Sequence, residues 1–492
     1  MPRGRRRGQE RGRGRGKGRG RGRMEPAEDA GAGQGEQGRF VTGSLMRHVT
    51  VMALTGTLGL MFTFLVDFLA LWWIGRLGEE ALIAAVGIAG TLQFAVISVA
   101  IGLMIGAVAM VSRAIGMGRK DSARRIATFA LILSVAAMGA VTLAMMAFAV
   151  PLLRLSGAEG RVLDEGWRFL MISLPSLPVL AAAFVTSSVL RAIGDAWRST
   201  AVVMIGGGFA IVIDPLLIVW SGWGIAGAAV SVVIARAAMC ALGLWYVIRV
   251  HAMLAPPERG AGREFLRPFL AIAVPAILTQ VSTPFGNWIL TREMAAHGES
   301  AVAGWGVVMR LTILAFGGIF ALSGAIGGII GQNHGARRPD RVAAAFAAAL
   351  TFCLVYTLLV WAAMAALTGP IAGSFGLSAE GEAVVRAFTH VAAGSFVFTG
   401  ALFVANAAFN NLGRPLWSTR ANWFRDGILM FPLAAGMGAW LGAAGVVLAQ
   451  AAANVIAGGL AAWLAWTYIR GLNGAAAPAA PAAAPRAADR GG

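Results

Sequence analysis

Apolar residues along this chain follow neither the two-residue alternation of a strand nor the one-sided stripe of a surface helix. From about residue 46 they fill whole segments of roughly twenty residues or more. The run IATFALILSVAAMGAVTLAMMAFAV, at 126–150, is apolar all round. A helix of that kind has no polar face to give to water, and a bilayer satisfies it on every side. A membrane barrel would instead show segments of about ten residues alternating apolar and polar. Gly and Pro punctuation and clusters of charge divide the apolar stretch into twelve predicted spans, at 46–74, 81–110, 125–151, 168–190, 200–220, 225–249, 267–291, 301–330, 342–368, 387–411, 419–440 and 444–469.

Charge then orients the spans. Loops after even-numbered spans are basic, with Arg113, Arg119, Lys120, Arg124 and Arg125 after the second and Arg337, Arg338 and Arg341 after the eighth. Loops after odd spans are short or acidic, as at Glu79, Glu80, Glu380 and Glu382. The excess of cations inside predicts that the basic loops and both termini face the cytoplasm of a plasma (inner) membrane protein.

A shift of about 219 residues superposes the two halves. GEEA at 78–81 meets GESA at 298–301, RAIGMGRKD at 113–121 meets QNHGARRPD at 332–340, LRAIGDAWRST at 190–200 meets FNNLGRPLWST at 409–419, and GIAGAAV at 224–230 meets GAAGVVL at 442–448. Each copy begins in the same orientation, so the predicted fold class is an all-α polytopic membrane protein of twelve helices in two six-helix lobes related by a parallel pseudo-twofold. Such lobes enclose a central cleft and suit alternating access. The expected domains are a basic Arg/Gly tail and linker at 1–45, an N-lobe at 46–250, a cytoplasmic linker at 251–266, a C-lobe at 267–470 and an Ala/Pro tail at 471–492.

Composition sharpens this in two places. With 58% apolar and 13% charged residues in 492, the chain has too little polar surface to cover a water-soluble body of that size. The net charge of +18 is mostly a property of residues 1–23, which hold eleven Lys or Arg against one Glu. That Arg-Gly stretch cannot bury a core; it is expected either to lie upstream of the true start, at Met24 or Met46, or to reinforce cytoplasmic orientation, and nucleic acid is not an expected partner. Cys240 and Cys353 both lie in apolar runs, read as buried thiols, and no cleavable signal peptide is evident ahead of the first span.

The segments VDFLALWWIGRLG at 66–78, VSRAIGMGRKDSAR at 111–124, LRAIGDAWRST at 190–200, VIDPLLIVWSGWGIAGAAV at 212–230 and GAIGGIIGQNHGARRPDR at 324–341 resemble, in order and spacing, the multidrug and toxic compound extrusion (MATE) transporters. The resemblance covers roughly residues 46–470. It implies efflux of amphipathic, often cationic organic compounds in exchange for protons, with sodium as the alternative ion. Relatives that flip lipid-linked saccharides share the architecture and supply an alternative cargo. No enzyme activity, cofactor or metal is implied; the expected partners are small organic substrates, the coupling ion and membrane lipids, and the expected state is a monomer.

Asp67, late in the first span, and Asp214, beside Pro215 in the fifth, are the clearest mid-span acids. A carboxyl group so placed must face protein or water, and it can load and release a proton as the cleft opens to either side. Both match first-lobe acids of the family, which points to the DinF-like branch. The position four residues before Asp214, often Asn in that branch, is Ala210 here, and losing an amide oxygen weakens a sodium site more than a proton site. By the repeat Asn287 stands in the place of Asp67, and no acid stands in that of Asp214, so the expected ion site is confined to the first lobe. Gln93, Gln280, Asn287, Arg310 and Asn406 are candidates to line the cleft, with helix–helix hydrogen bonding as the competing role of the amides. Arg236 is a second cation inside a span, and Trp72, Trp73, Trp288 and Trp305 read as interfacial belt residues. A flippase would need a strongly basic cleft, a prenyltransferase acid-rich metal clusters and an ATP-driven pump a GxxxxGK[ST] loop; none of these stands in the sequence.

Overall fold

The computed structural model describes residues 38–257 and 260–476, so most of both expected tails lies outside the described residues. Each apolar segment becomes a helix, because only intrasegment hydrogen bonds satisfy a backbone placed in lipid. The helices are α1 (Leu45–Gly75), α2 (Glu80–Gly116), α3 (Lys120–Ala147), α4 (Gly160–Ile193), α5 (Ala196–Trp220), α6 (Gly224–Val250), α7 (Ala261–Ala295) and α8, which runs as Glu299–Ala315 and Gly317–Gly335. They continue with α9 (Pro339–Ala366) and α10 (Ala379–His390, then Ala392–Asn411). The last apolar stretch, Pro415–Leu472, is 58 residues long, twice what a bilayer needs. It reverses at Gly442, whose φ of 65° and ψ of −154° lie outside the helical region, which makes α11 (415–441) and α12 (443–472).

The twelve predicted spans are therefore present, with ends that differ where helices outlast the apolar run. α2 continues six residues beyond the predicted 110 to Gly116, through Ser112 and Arg113. α4 and α10 start about eight residues early, on amphipathic turns that ride at the surface. Short helices at Ala149–Leu155 and Thr368–Ser374 occupy equivalent places after α3 and α9. Trp305, expected at the interface, is buried and donates its indole N–H to the Thr291 hydroxyl at 3.2 Å. Its apolar body was legible, but not that α7 would offer it an acceptor.

One buried apolar cluster fills each lobe, and the two exchange pieces. Val49, Met52 and Ala53, from the first turns of α1, pack in the cluster of the second half. Phe265, Phe269 and Ala273, from the first turns of α7, pack in the cluster of the first half, with both phenyl rings 5.9 Å from Phe129. The lobes also meet where α2 runs against α7 and α8 and where α1 runs against α8. These seams are close enough to need glycine: a Cβ on Gly102 would lie 2.7 Å from the Ile277 nitrogen, and one on Gly116 would strike the Gln332 carbonyl.

Hydrogen bonds between the halves gather at the basic end. Arg113 donates to the Asn411 carbonyl at 2.6 Å, Gln332 Nε2 to the Ala192 carbonyl at 2.6 Å, and Arg125 pairs with Glu264 at 2.8 Å. Toward the acidic end α8 turns through 48° at Phe316, beside Thr57 and Met61 of α1. α2, its repeat counterpart, runs unbroken for 37 residues.

Candidate functional site

Two helices of the first lobe carry the acids. α1 and α5 lie against each other, with Phe62 and Val66 packed on Gly207, where a Cβ would come within 2.7 Å of the Phe62 ring and 2.9 Å of Val66. This approach places Asp67, the next residue on α1, toward the stretch of α5 that ends at Asp214. α1 also runs against the Pro215–Trp220 turn that follows Asp214, so the two acids stand on facing stretches of α1 and α5. Asp67 is exposed, whereas Asp214 is only 3% exposed.

The backbone at Asp214 is irregular for a reason the sequence states. Pro215 offers no N–H, the regular turns end, and residues Pro215–Trp220 wind as a wider π-helical turn. Asp214 Oδ2 lacks a well-formed hydrogen bond, with the Ser231 hydroxyl of α6 beside Asp214 as the donor at hand. A buried carboxylate oxygen left unpaired is costly, and a proton or a cation on it removes that cost. The structure thus brings together the two acids picked from the sequence, around an oxygen with room for one more bond. Among the described residues no cluster of three or more His, Cys, Asp and Glu is gathered.

The remaining candidates fall into two sets. Gln280 and Asn287, seven residues apart, share the face of α7 that carries Ile277, the residue that meets Gly102 across the seam. Both are half-buried and hold no hydrogen bond among the described residues. Arg310 is exposed on the outer part of α8, six residues before the bend, and no acid pairs with it there. A lone guanidinium at that depth must face water rather than lipid. These three make no side-chain hydrogen bond or ion pair among the described residues.

Gln93 and Asn406 are instead engaged inside their lobes. Gln93 Oε1 accepts from Arg236 at 2.8 Å, and its amide nitrogen donates to the Ser173 hydroxyl. Arg236 also donates to the Ser173 carbonyl at 3.1 Å and to the Ser176 hydroxyl at 2.8 Å, so neutral acceptors from α2 and α4 cage its charge. Asn406 accepts from Asn422 at 3.0 Å and ties α10 to α11.

Sequence reasoning missed one buried acid. Asp426, 2% exposed by its side chain, sits in a π-helical turn of α11, Phe424–Leu429. Arg425 grips it through Nε at 2.7 Å and Nη2 at 3.0 Å, and Ser282 of α7 donates to it at 2.9 Å. The adjacent Arg-Asp within the predicted 419–440 span was the available signal. α7 and α11 repeat α1 and α5, so the second lobe also holds a carboxylate between its first and fifth helices, neutralised by its own neighbour.

Twelve apolar helices in two parallel six-helix lobes, with acids buried between helices of each lobe, are the architecture of a two-lobed membrane transporter. The MatE family profile matches residues 57–216 and again 275–435, an offset of the same size as the internal repeat, and the chain belongs to that family. It is 29% identical over 424 residues to the FAD transporter of Shewanella oneidensis, a match covering 83% of this chain and 91% of that protein. Against the multidrug export protein MepA of Staphylococcus aureus it is 26% identical over 274 residues, 54% of this chain and 59% of MepA. Among solved structures, a multidrug resistance MATE family transporter in an outward-facing conformation superposes with a TM-score of 0.82 at 22% identity, over 88% of this chain and 98% of that one. A transporter from Pyrococcus furiosus has the same score at 21% identity.

Proposed function

We propose that this protein exports amphipathic organic compounds across the plasma membrane in exchange for protons, by alternating access of an N-lobe at 46–250 and a C-lobe at 267–470. The observation that carries the coupling is the pair Asp67 and Asp214, one exposed and one buried, on facing stretches of α1 and α5, with Asp214 Oδ2 short of hydrogen bonds. A proton needs one basic oxygen, and this site has two carboxyl groups with Ala210 where a further amide ligand for sodium would stand. Cytoplasmic termini follow from the basic loops, and the first-lobe placement of the acids fits the DinF-like branch. Gln280, Asn287 and Arg310 contact cargo in this reading, while Gln93 and Asn406 hold their lobes together.

A flavin dinucleotide is a second reading of the cargo. It is favoured by the unpartnered Arg310, a cation suited to a phosphate or carboxylate group, and by similarity to the FAD transporter over most of both chains. One reconstitution separates the readings. Liposomes carrying the purified protein are given a pH gradient or a sodium gradient separately, and export of a fluorescent organic cation and of FAD is followed in each. Cation export driven by the pH gradient alone is the expected result. Export driven only by sodium would overturn the coupling, and FAD as the sole cargo would replace the first reading of the substrate with the second.

A further inference from the structure

The segment just ahead of α1 is folded into the seam between the lobes. Arg39–Val41 forms a single 3₁₀ turn, and Phe40 in it is 1% exposed. On the second-lobe side the Phe40 N–H donates to Gln332 Oε1 at 2.8 Å, while its carbonyl accepts from Asn333 at 3.2 Å and Arg341 at 3.1 Å. The Val41 carbonyl accepts from Arg338 at 3.2 Å. On the first-lobe side Arg39 donates to the carbonyl of Gly194 at 2.9 Å, in the turn between α4 and α5. The Phe40 ring fills space left by two glycines, one per lobe: a Cβ would come within 3.1 Å of it at Gly194 and 3.5 Å at Gly328. Gly38 is wedged between Ile115 of α2, at 3.1 Å from its Cβ position, and the Gln332 side chain of α8.

Gln332 joins these contacts into one device. It is fully buried; its carbonyl oxygen takes the strap's N–H, and its amide nitrogen donates to Ala192 of the first lobe. Drawing the α4–α5 turn away from α8 would break the Ala192 and Gly194 bonds and uncover Phe40. It would also leave amide groups in search of partners, each a cost to the parted state.

We propose that residues 38–43 are a latch that holds the two lobes closed at the basic end, and that its release from Gly194 or Gln332 is a required step in opening that end. The proposal rests on alternating access by the two lobes but not on the choice of cargo or ion, so its test reads conformation rather than transport.

Spin labels are placed at Arg119→Cys, exposed in the α2–α3 turn, and at Asp340→Cys, exposed in the first turn of α9, with Cys240 and Cys353 replaced by Ala. The distance distribution is then measured in lipid nanodiscs. Phe40→Ala and Gln332→Ala are expected to raise the long-distance population at least about tenfold over the parent. Arg39→Ala, which removes a single bond to the first lobe, is expected to shift it less and in the same direction. Phe388→Ala, a cavity beside the Phe396 ring in α10 with no bond to residues 38–43, serves as the control for general loosening. Distributions unchanged in all three strap variants, or changed equally by Phe388→Ala, would overturn the latch. If Phe40→Ala does not fold, the Arg39→Ala shift alone decides.

Discussion

The Ser282 hydroxyl donates to Asp426 at 2.9 Å and so fastens α7 to α11. Gly286, one turn further along α7, lets Asp426 approach closely: a Cβ there would lie 2.9 Å from Oδ1. With the bidentate grip of Arg425, the carboxylate has its bonding satisfied within the lobe. Breaking a buried pair by removing one partner costs about 3–5 kcal/mol, because the other charge is left bare. Asp426→Asn is therefore expected to lower thermal stability in detergent sharply, whereas Arg425→Met combined with Asp426→Leu restores much of the loss. Thermal unfolding of the single and double variants is the check, and a fully stable Asp426→Asn protein would show that the pair is not a structural tie.

Asp67→Asn and Asp214→Asn keep size and hydrogen bonding but abolish titration. Each is expected to insert normally, to retain cargo binding and to lose gradient-driven export. Asn287→Ala, which removes no hydrogen bond made within the protein, is expected to be mild by comparison. Export by all three in the liposome assay, with binding measured in parallel, makes the comparison; full antiport in either Asn variant takes that acid out of coupling.

Gln93 was a cleft candidate, yet its amide is consumed by Arg236 and Ser173. Gln93→Leu leaves a buried guanidinium short of an acceptor, at a cost of about 1–3 kcal/mol. The expected outcome is a less stable protein whose transport per folded molecule is unchanged for every cargo tested. Altered selectivity among cargos would restore Gln93 to the cleft.

At the turn between α4 and α5, Asp195 caps α5. Its carboxyl accepts the Arg198 N–H at 3.1 Å and the Arg198 guanidinium at 2.7 Å, with His251 Nε2 3.0 Å away. Burial pushes this carboxyl up, but the Arg198 and His251 hydrogen bonds and the Arg198 charge outweigh it, and the group sits below the usual carboxylate range. A lowered value means stability that is fully present above the ordinary range and lost as pH falls through the lowered one. Asp195→Ala is expected to cost about 0.5–2 kcal/mol near neutrality, as loss of a helix cap does. The gap between wild type and variant should close in strong acid, as read from thermal stability measured across pH. A gap that stays constant on acidification would mean that the cap does not act through its charge.

Most of the fold was legible because the signal for a span is its length. Stretches of apolar residues identify helices in lipid without any knowledge of partners, and a shift of one spacing identifies the repeat. Asp67 and Asp214 were legible for the same reason, since a lone acid in such a stretch is conspicuous. What escaped depends on who packs against whom. Asp426 is disguised by Arg425, because adjacent opposite charges read as the edge of a span, and only the π-helical turn brings both inside. Gln93 and Asn406 look identical to Gln280 and Asn287 in a one-dimensional string; the difference lies in neighbours up to 143 residues away, such as Arg236 for Gln93. Phe40 was invisible because one aromatic residue in a polar lead-in carries no periodicity.

The exchange of first turns between the cores has a consequence for how the protein is made. A ribosome delivers α1 to α6 first, and at that moment the seat of Phe265 and Phe269 beside Phe129 is unfilled, while Val49 and Met52 have no second-half core to enter. The first lobe cannot finish folding until α7 has been inserted, and α1 cannot settle until the later helices exist. Biogenesis then ends in one joint maturation of both halves rather than two in succession. A chain cut in the linker would yield two fragments that complete each other only when made together.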